Sequence, residues 1–135
     1  MIYIEENQKV ENIIRIYRYL IQKYKCKVTF FADSLFNDID TIAKQLKKFK
    51  VSFQMEKISD IRKSIVFTVN SEMILKIGLK NFSHYIEDSW VHFNINNSII
   101  QINQLPDEGA EIICEDVYEK ELRLILSNTS SKAIY

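Results

Sequence analysis

Residues 90–103 read WVHFNINNSIIQIN. Two runs of period two, Trp90–Ile95 and Ser98–Asn103, flank the dipeptide Asn96-Asn97. Asparagine tolerates the positive φ that a two-residue turn needs, so this stretch predicts an antiparallel β-hairpin. In its first strand Val91, Phe93 and Ile95 share one face, and Trp90, His92 and Asn94 share the other. The hairpin marks the second half of the chain as antiparallel β structure.

Just upstream, Ser64–Val69 is rich in β-branched residues and reads as a strand. Asn70-Ser71 can cap a short helix over Glu72–Leu79, weakened by Gly78. Downstream, Pro106, Asp107 and Gly109 mark a loop. The stretch from Glu111 to Leu126 fits two patterns. Ile113, Val117 and Leu124 suit one helix face, whereas Leu122, Leu124 and Leu126 suit strand alternation. A strand is expected at Leu122–Leu126, residues 111–121 stay open between helix and strand, and a frayed tail is expected from Ser127.

The first half has a different rhythm. Ile2–Glu5 alternates as a short strand. Gln8–Lys25 is helical, with Ile13, Ile14, Ile16, Tyr17, Leu20, Ile21 and Tyr24 on one broad face. Val28–Ala32 is a nearly continuous apolar run, as in a strand covered on both faces. Asp33-Ser34 can then cap a helix whose stripe is Leu35, Ile39, Ile42, Ala43, Leu46 and Phe49. Its acids, Asp38 and Asp40, lie toward the start, and Lys44, Lys47 and Lys48 toward the end, as the helix dipole prefers. Val51–Ile58 alternates again. Strand-helix-strand-helix-strand is an α/β-like order that predicts parallel or mixed pairing through right-handed crossovers. The whole chain is expected to be one α+β domain of 135 residues.

Composition narrows the function. Hydrophobic residues are 47% and charged residues 27% of the chain, which is globular rather than disordered. With only two glycines and one proline, most phosphate-cradling loops are ruled out, because they need glycine where the backbone approaches the ligand. Cys26 and Cys114 sit in no metal spacing and favour a reducing cytosol. Met1–Glu6 is acidic and unlike a signal peptide, and no apolar run approaches the roughly 18 residues of a membrane span. A cytoplasmic location is expected.

Formal net charge is zero, yet residues 1–80 carry fifteen basic and nine acidic side chains while residues 81–135 carry three and nine. Such asymmetry between halves is a mark of an interaction surface or of two halves that attract each other.

Five constellations could carry chemistry. His84, Glu87, Asp88 and His92 are metal-ligating types, but the histidines lie eight apart and follow no helical ligand spacing. His92 is expected to face solvent on its strand. Asp33 sits at the carboxyl end of a strand, where open α/β sheets bind ligands and carboxylates can hold Mg²⁺, although capping explains it without a metal. Cys26 is flanked by Lys25 and Lys27, which favour a thiolate, yet no histidine is near it in sequence and a lone cysteine is ordinarily a small buried hydrophobe. The outer face of the first helix carries Arg15, Arg18, Tyr19, Lys23 and Lys25, a pattern that can track phosphates and stack a base, on a chain whose pI of 6.7 is low for a nucleic-acid binder.

The fifth is an acidic tract: Asp107, Glu108, Glu111, Glu115, Asp116, Glu119 and Glu121, relieved only by Lys120 and interleaved with Ile112, Ile113, Val117 and Tyr118. The interleaving predicts a folded segment that displays its acids, with Tyr118 as an aromatic anchor. These features together predict a non-catalytic, cytoplasmic protein-binding protein without metal or cofactor. Its acidic face would dock a basic protein partner. Bacterial immunity proteins, which neutralise nuclease toxins, have this general character. Two other classes remain in view: nucleic-acid association through the basic first helix, and a metal-dependent enzyme assembled from scattered residues such as Asp33, Asp60 and His84.

Overall fold

The computed structural model describes residues 1–35, 37–77, 90–104 and 108–132. Seven strands form one sheet: β1 (Ile2–Ile4), β2 (Lys27–Asp33), β3 (Phe53–Lys57), β4 (Lys63–Asn70), β5 (Trp90–Ile95), β6 (Ser98–Gln104) and β7 (Ala110–Ile113). Among the described residues four α-helices accompany it: α1 (Lys9–Lys23), α2 (Ile39–Lys48), α3 (Ser71–Ile77) and α4 (Asp116–Lys132). The fold is α+β. Strand order is β1-β7-β6-β5-β2-β4-β3, and every neighbouring pair is antiparallel.

The hairpin forms at the expected turn, with Asn96 and Asn97 at φ 46° and 63°. The parallel or mixed pairing expected for the first half does not form. β1, β2 and β3 do run in the same direction, but none touches another. β4 folds back from β3 and inserts between β3 and β2, while β5, β6 and β7 fill the space between β2 and β1. A hairpin return is short and local, so it takes the neighbouring position before a second crossover can.

Burial alternates along the strands other than β3, which is exposed beyond Phe53. Val28, Phe30 and Ala32, Ile65, Phe67 and Val69, Val91, Phe93 and Ile95, and Ile100 and Ile102 all point to one side, with Ile2, Ile4, Ala110 and Ile112 at the β1 end. The apolar side chains of the helices join the same cluster: Ile13, Ile16, Tyr17 and Leu20 from α1, Ile42 and Leu46 from α2, Ile74 from α3 and Leu122 from α4. Tyr17 leans on Phe93 with ring centroids 5.3 Å apart, and Phe30 stacks on Phe67 at 4.8 Å. The described helices therefore cover one face of the sheet. The strand Val28–Ala32 is not covered on both faces as expected: Thr29 and Phe31 look out from the opposite side and are only half-buried.

Two helices differ from their expected form. α2 begins at Ile39, capped by Asp38, whose carboxylate accepts from Thr41 N at 3.1 Å. Asp33 instead turns the preceding loop by accepting from Leu35 N at 2.9 Å, so Leu35 stays exposed. The strand expected at Leu122–Leu126 is the middle of α4. There Tyr118, Leu122, Ile125 and Leu126 point inward while Leu124 is exposed, the i, i+4, i+7, i+8 spacing of a helix stripe. α4 runs on to Lys132, past the point where a frayed tail was expected.

Gly109, just before β7, lies against β1. A Cβ there would sit 1.8 Å from the Ile4 carbonyl oxygen and 2.8 Å from the Tyr3 ring, and its N–H donates to the Tyr3 hydroxyl at 3.3 Å. Relief of that clash requires backbone movement at the β1–β7 edge. Gly109→Ala is expected to destabilise the chain by about 3 kcal/mol, the upper end of overpacking costs. Urea unfolding followed by circular dichroism reads it.

Candidate functional site

The structure disperses the acidic tract. Asp107 lies outside the described residues. Glu108 precedes β7 with an exposed side chain, and its main-chain carbonyl accepts from Lys9 Nζ at 3.1 Å. Glu111 is on β7 and points to the uncovered side of the sheet. Glu115 and Asp116 are exposed at the start of α4, where the Glu115 carbonyl receives the first main-chain N–H groups of the helix. Tyr118 is half-buried and meets Tyr24 edge-on at 6.0 Å. Glu119 pairs with Arg123 at 2.7 Å, one turn along.

Glu121 is the hub. Its carboxylate accepts from Lys23 Nζ at 2.5 Å, from the Tyr24 hydroxyl at 2.8 and 2.9 Å, and from the Tyr19 hydroxyl. Burial pushes the Glu121 carboxyl up, but the hydrogen bonds from Lys23, Tyr19 and Tyr24 outweigh it and leave its pKa below the ordinary value. Burial, seconded by Glu121, pushes the Tyr24 hydroxyl up to about 12. The Arg123 hydrogen bonds hold Glu119 low as well. Glu121 therefore fastens α4 to the end of α1, joining the acidic and basic halves of the chain.

The same contacts draw on the basic face of α1. Lys23 is bound to Glu121, Arg15 to Glu11 at 3.1 Å, and Lys25 lies 3.7 Å from Glu72. Tyr19, the aromatic of that basic face, is turned to the Glu121 carboxylate. Arg18 is exposed, without an ion pair among the described residues.

The other candidates also have local roles. Asp33 receives Arg62 at 2.7 and 2.9 Å, and this guanidinium lowers its pKa. Asp60 lies 3.5 Å from Lys57 at the β3–β4 hairpin. The Cys26 thiol is buried, and burial raises its pKa despite a hydrogen bond with Ser71, so Lys25 and Lys27 do not make it a thiolate. His84, Glu87 and Asp88 lie outside the described residues. His92 is half-buried against Phe31, with ring centroids 4.8 Å apart, and burial lowers its pKa. Among the described residues, no cluster of three or more His, Cys, Asp or Glu is placed to hold a metal ion, and no helix is long and apolar enough to cross a membrane.

What the sheet does bring together lies on its uncovered side. Register places one row straight across all seven strands: Tyr3, Glu111, Asn103, Trp90, Phe31, Val66 and Gln54. The next row holds Ile113, Gln101, His92, Thr29 and Thr68. Trp90, the only tryptophan of the chain, is 54% exposed at the centre of the first row. Its neighbours are held in place: Gln101 donates to Asn103 at 3.0 Å, and the Thr29 and Thr68 hydroxyls lie 2.9 Å apart. This aromatic and amide-rich face is the strongest candidate site in the described structure. Its signal was present in the sequence, since alternation puts Trp90 and His92 opposite the core, but the apolar run Val28–Ala32 concealed that Phe31 joins them.

No protein-family model matches the chain, and no curated protein or solved structure matches it significantly.

The depressed carboxylates set the acid behaviour. Below about pH 4 the unfolded chain protonates Glu119, Glu121 and Asp33 before the folded chain does, so acid favours unfolding. Their contribution is present above the ordinary carboxylate range and is lost as pH falls through the folded-state values. Melting temperature is expected to drop over that interval, and Glu121→Gln to flatten part of the drop, read by calorimetry between about pH 2.5 and 7.

Proposed function

We propose that this chain is a non-catalytic protein-binding domain that docks through the uncovered face of its sheet. The observation that carries this reading is Trp90. A large aromatic, more than half exposed and flanked by Phe31 and Asn103 on a rigid central strand, is the kind of residue that anchors protein interfaces. The surrounding threonines, asparagines and glutamines supply hydrogen bonds without the desolvation cost of buried charges. Asp33 is taken by its ion pair with Arg62, Cys26 is a buried thiol, and Glu121 ties α4 to α1. Binding of a folded partner uses what is left.

Trp90→Ala is expected to weaken capture of a protein partner at least tenfold, about 1.4 kcal/mol, without changing the circular dichroism spectrum. Leu75→Ala, which trims an exposed apolar residue on α3, should leave it unchanged. Equal capture by wild type and Trp90→Ala sinks the reading.

One observation favours the immunity-type variant of this function, in which a basic toxin is the partner. Glu108, Glu115 and Asp116 remain exposed, and their carboxylates have no ion pair among the described residues. Were they the docking acids, reversing all three to lysine would cut the association rate with a basic partner and remove its salt dependence. A rate that does not change excludes them.

A further inference from the structure

The uncovered face has a simple charge pattern. Toward its edges the face carries Glu111 on β7 and Glu56 on β3, and on its four central strands, β6, β5, β2 and β4, the charged side chains are Lys27 and Asp33. They stand at opposite ends of β2, six residues apart, with Thr29 and Phe31 between them. Aromatic and amide side chains fill the middle, and the charges lie at the rim, as in interfaces that exclude water from their centre.

We infer that the partner on this face is a second copy of the same chain, packed sheet to sheet about a two-fold axis that crosses β2 near Phe30. The inference rests on the docking reading above and names the occupant. A two-fold axis there lays Lys27 of one copy over Asp33 of the other, twice. Asp33 already accepts from Arg62 and Leu35, and a carboxylate has lone pairs left for an ammonium. The area is adequate: seven strands about 4.8 Å apart, from 3 to 8 residues long at about 3.4 Å per residue, present roughly 600 Å² in projection. Their side-chain relief brings the accessible area near the ~800 Å² per partner of a standard interface. A nucleic acid finds one lysine against three acids on this face.

Sedimentation and light scattering on the full chain test this, with Trp90 as an internal reporter. A dimer is expected at about 100 µM, dissociating on dilution with a red shift of Trp90 emission as the indole meets water. Thr29→Arg, at the centre of the contact, should give a monomer with unchanged secondary structure. Lys27→Glu and Asp33→Lys should each weaken self-association at least tenfold, and mixing the two should form a heterodimer, because both crossed pairs are then complementary. A wild type that stays monomeric, or a dimer that survives Thr29→Arg without movement of Trp90 emission, overturns the inference. If the chain is monomeric while Trp90→Ala still abolishes capture of another protein, the second copy is excluded and the docking reading stands. If Trp90→Ala changes neither capture nor self-association, both fall.

Discussion

One-sided burial of a single sheet governs this structure. Each strand alternates apolar and polar side chains, so a seven-stranded layer has one oily face and must cover it once. The chain does so by sending its helices to the same side, with α1 in contact with both α3 and α4. That placement gives Ile13, Ile16, Tyr17 and Leu20 their depth, and it explains why the helix carries few free cations on its outer surface. Among the described residues no element covers the other face, which carries Trp90 and Phe31. Core and candidate site are two sides of the same alternation.

The opposed charges of the two halves are partly spent inside the fold. Glu121 reaches across to Lys23, Tyr19 and Tyr24 and fixes the last helix against the first. An acidic tract read along the chain suggests a surface, but strand β7 and helix α4 send its members in different directions. Glu111 goes to the bare face, Glu119 and Glu121 to internal partners, and Glu108, Glu115 and Asp116 to water. Spacing along the chain does not translate into spacing on a surface once a strand passes into a helix.

Local signals in the sequence were reliable where the geometry is local. The Asn96-Asn97 turn, the alternation of Trp90–Ile95, the stripe of α1 and that of α2 from Ile39 onward depend on a few adjacent residues, and these appear, whereas Leu35 falls outside α2. Pairing was not legible, because the choice between β4 and β3 as neighbour of β2 depends on a hairpin return rather than on any property of β2 itself. The register over Leu122–Leu126 was ambiguous for a related reason. Two of the three leucines, Leu122 and Leu126, fall on one helix stripe with Tyr118 and Ile125, and Leu124 lies outside it. The candidate site was half legible: Trp90 and His92 fall on the polar side by alternation, but their meeting with Phe31 needs the β2–β5 register, which only the folded sheet supplies.

The pairing of β1 with β7 has a consequence for how the chain reaches this state. Ile2 finds Ile112 and Ile4 finds Ala110 across more than a hundred residues of intervening sequence. On a ribosome, residues 2–4 emerge many seconds before their partners, at synthesis rates of roughly 5–20 residues per second. Throughout that interval the apolar stripe of α1 lacks α4, and for most of it Tyr17 lacks Phe93 of β5. Closure of the sheet is a late, high-contact-order event, and the nascent chain depends on its β2–β4 core, on slow collapse or on chaperones to keep α1 from other chains until residue 112 has appeared.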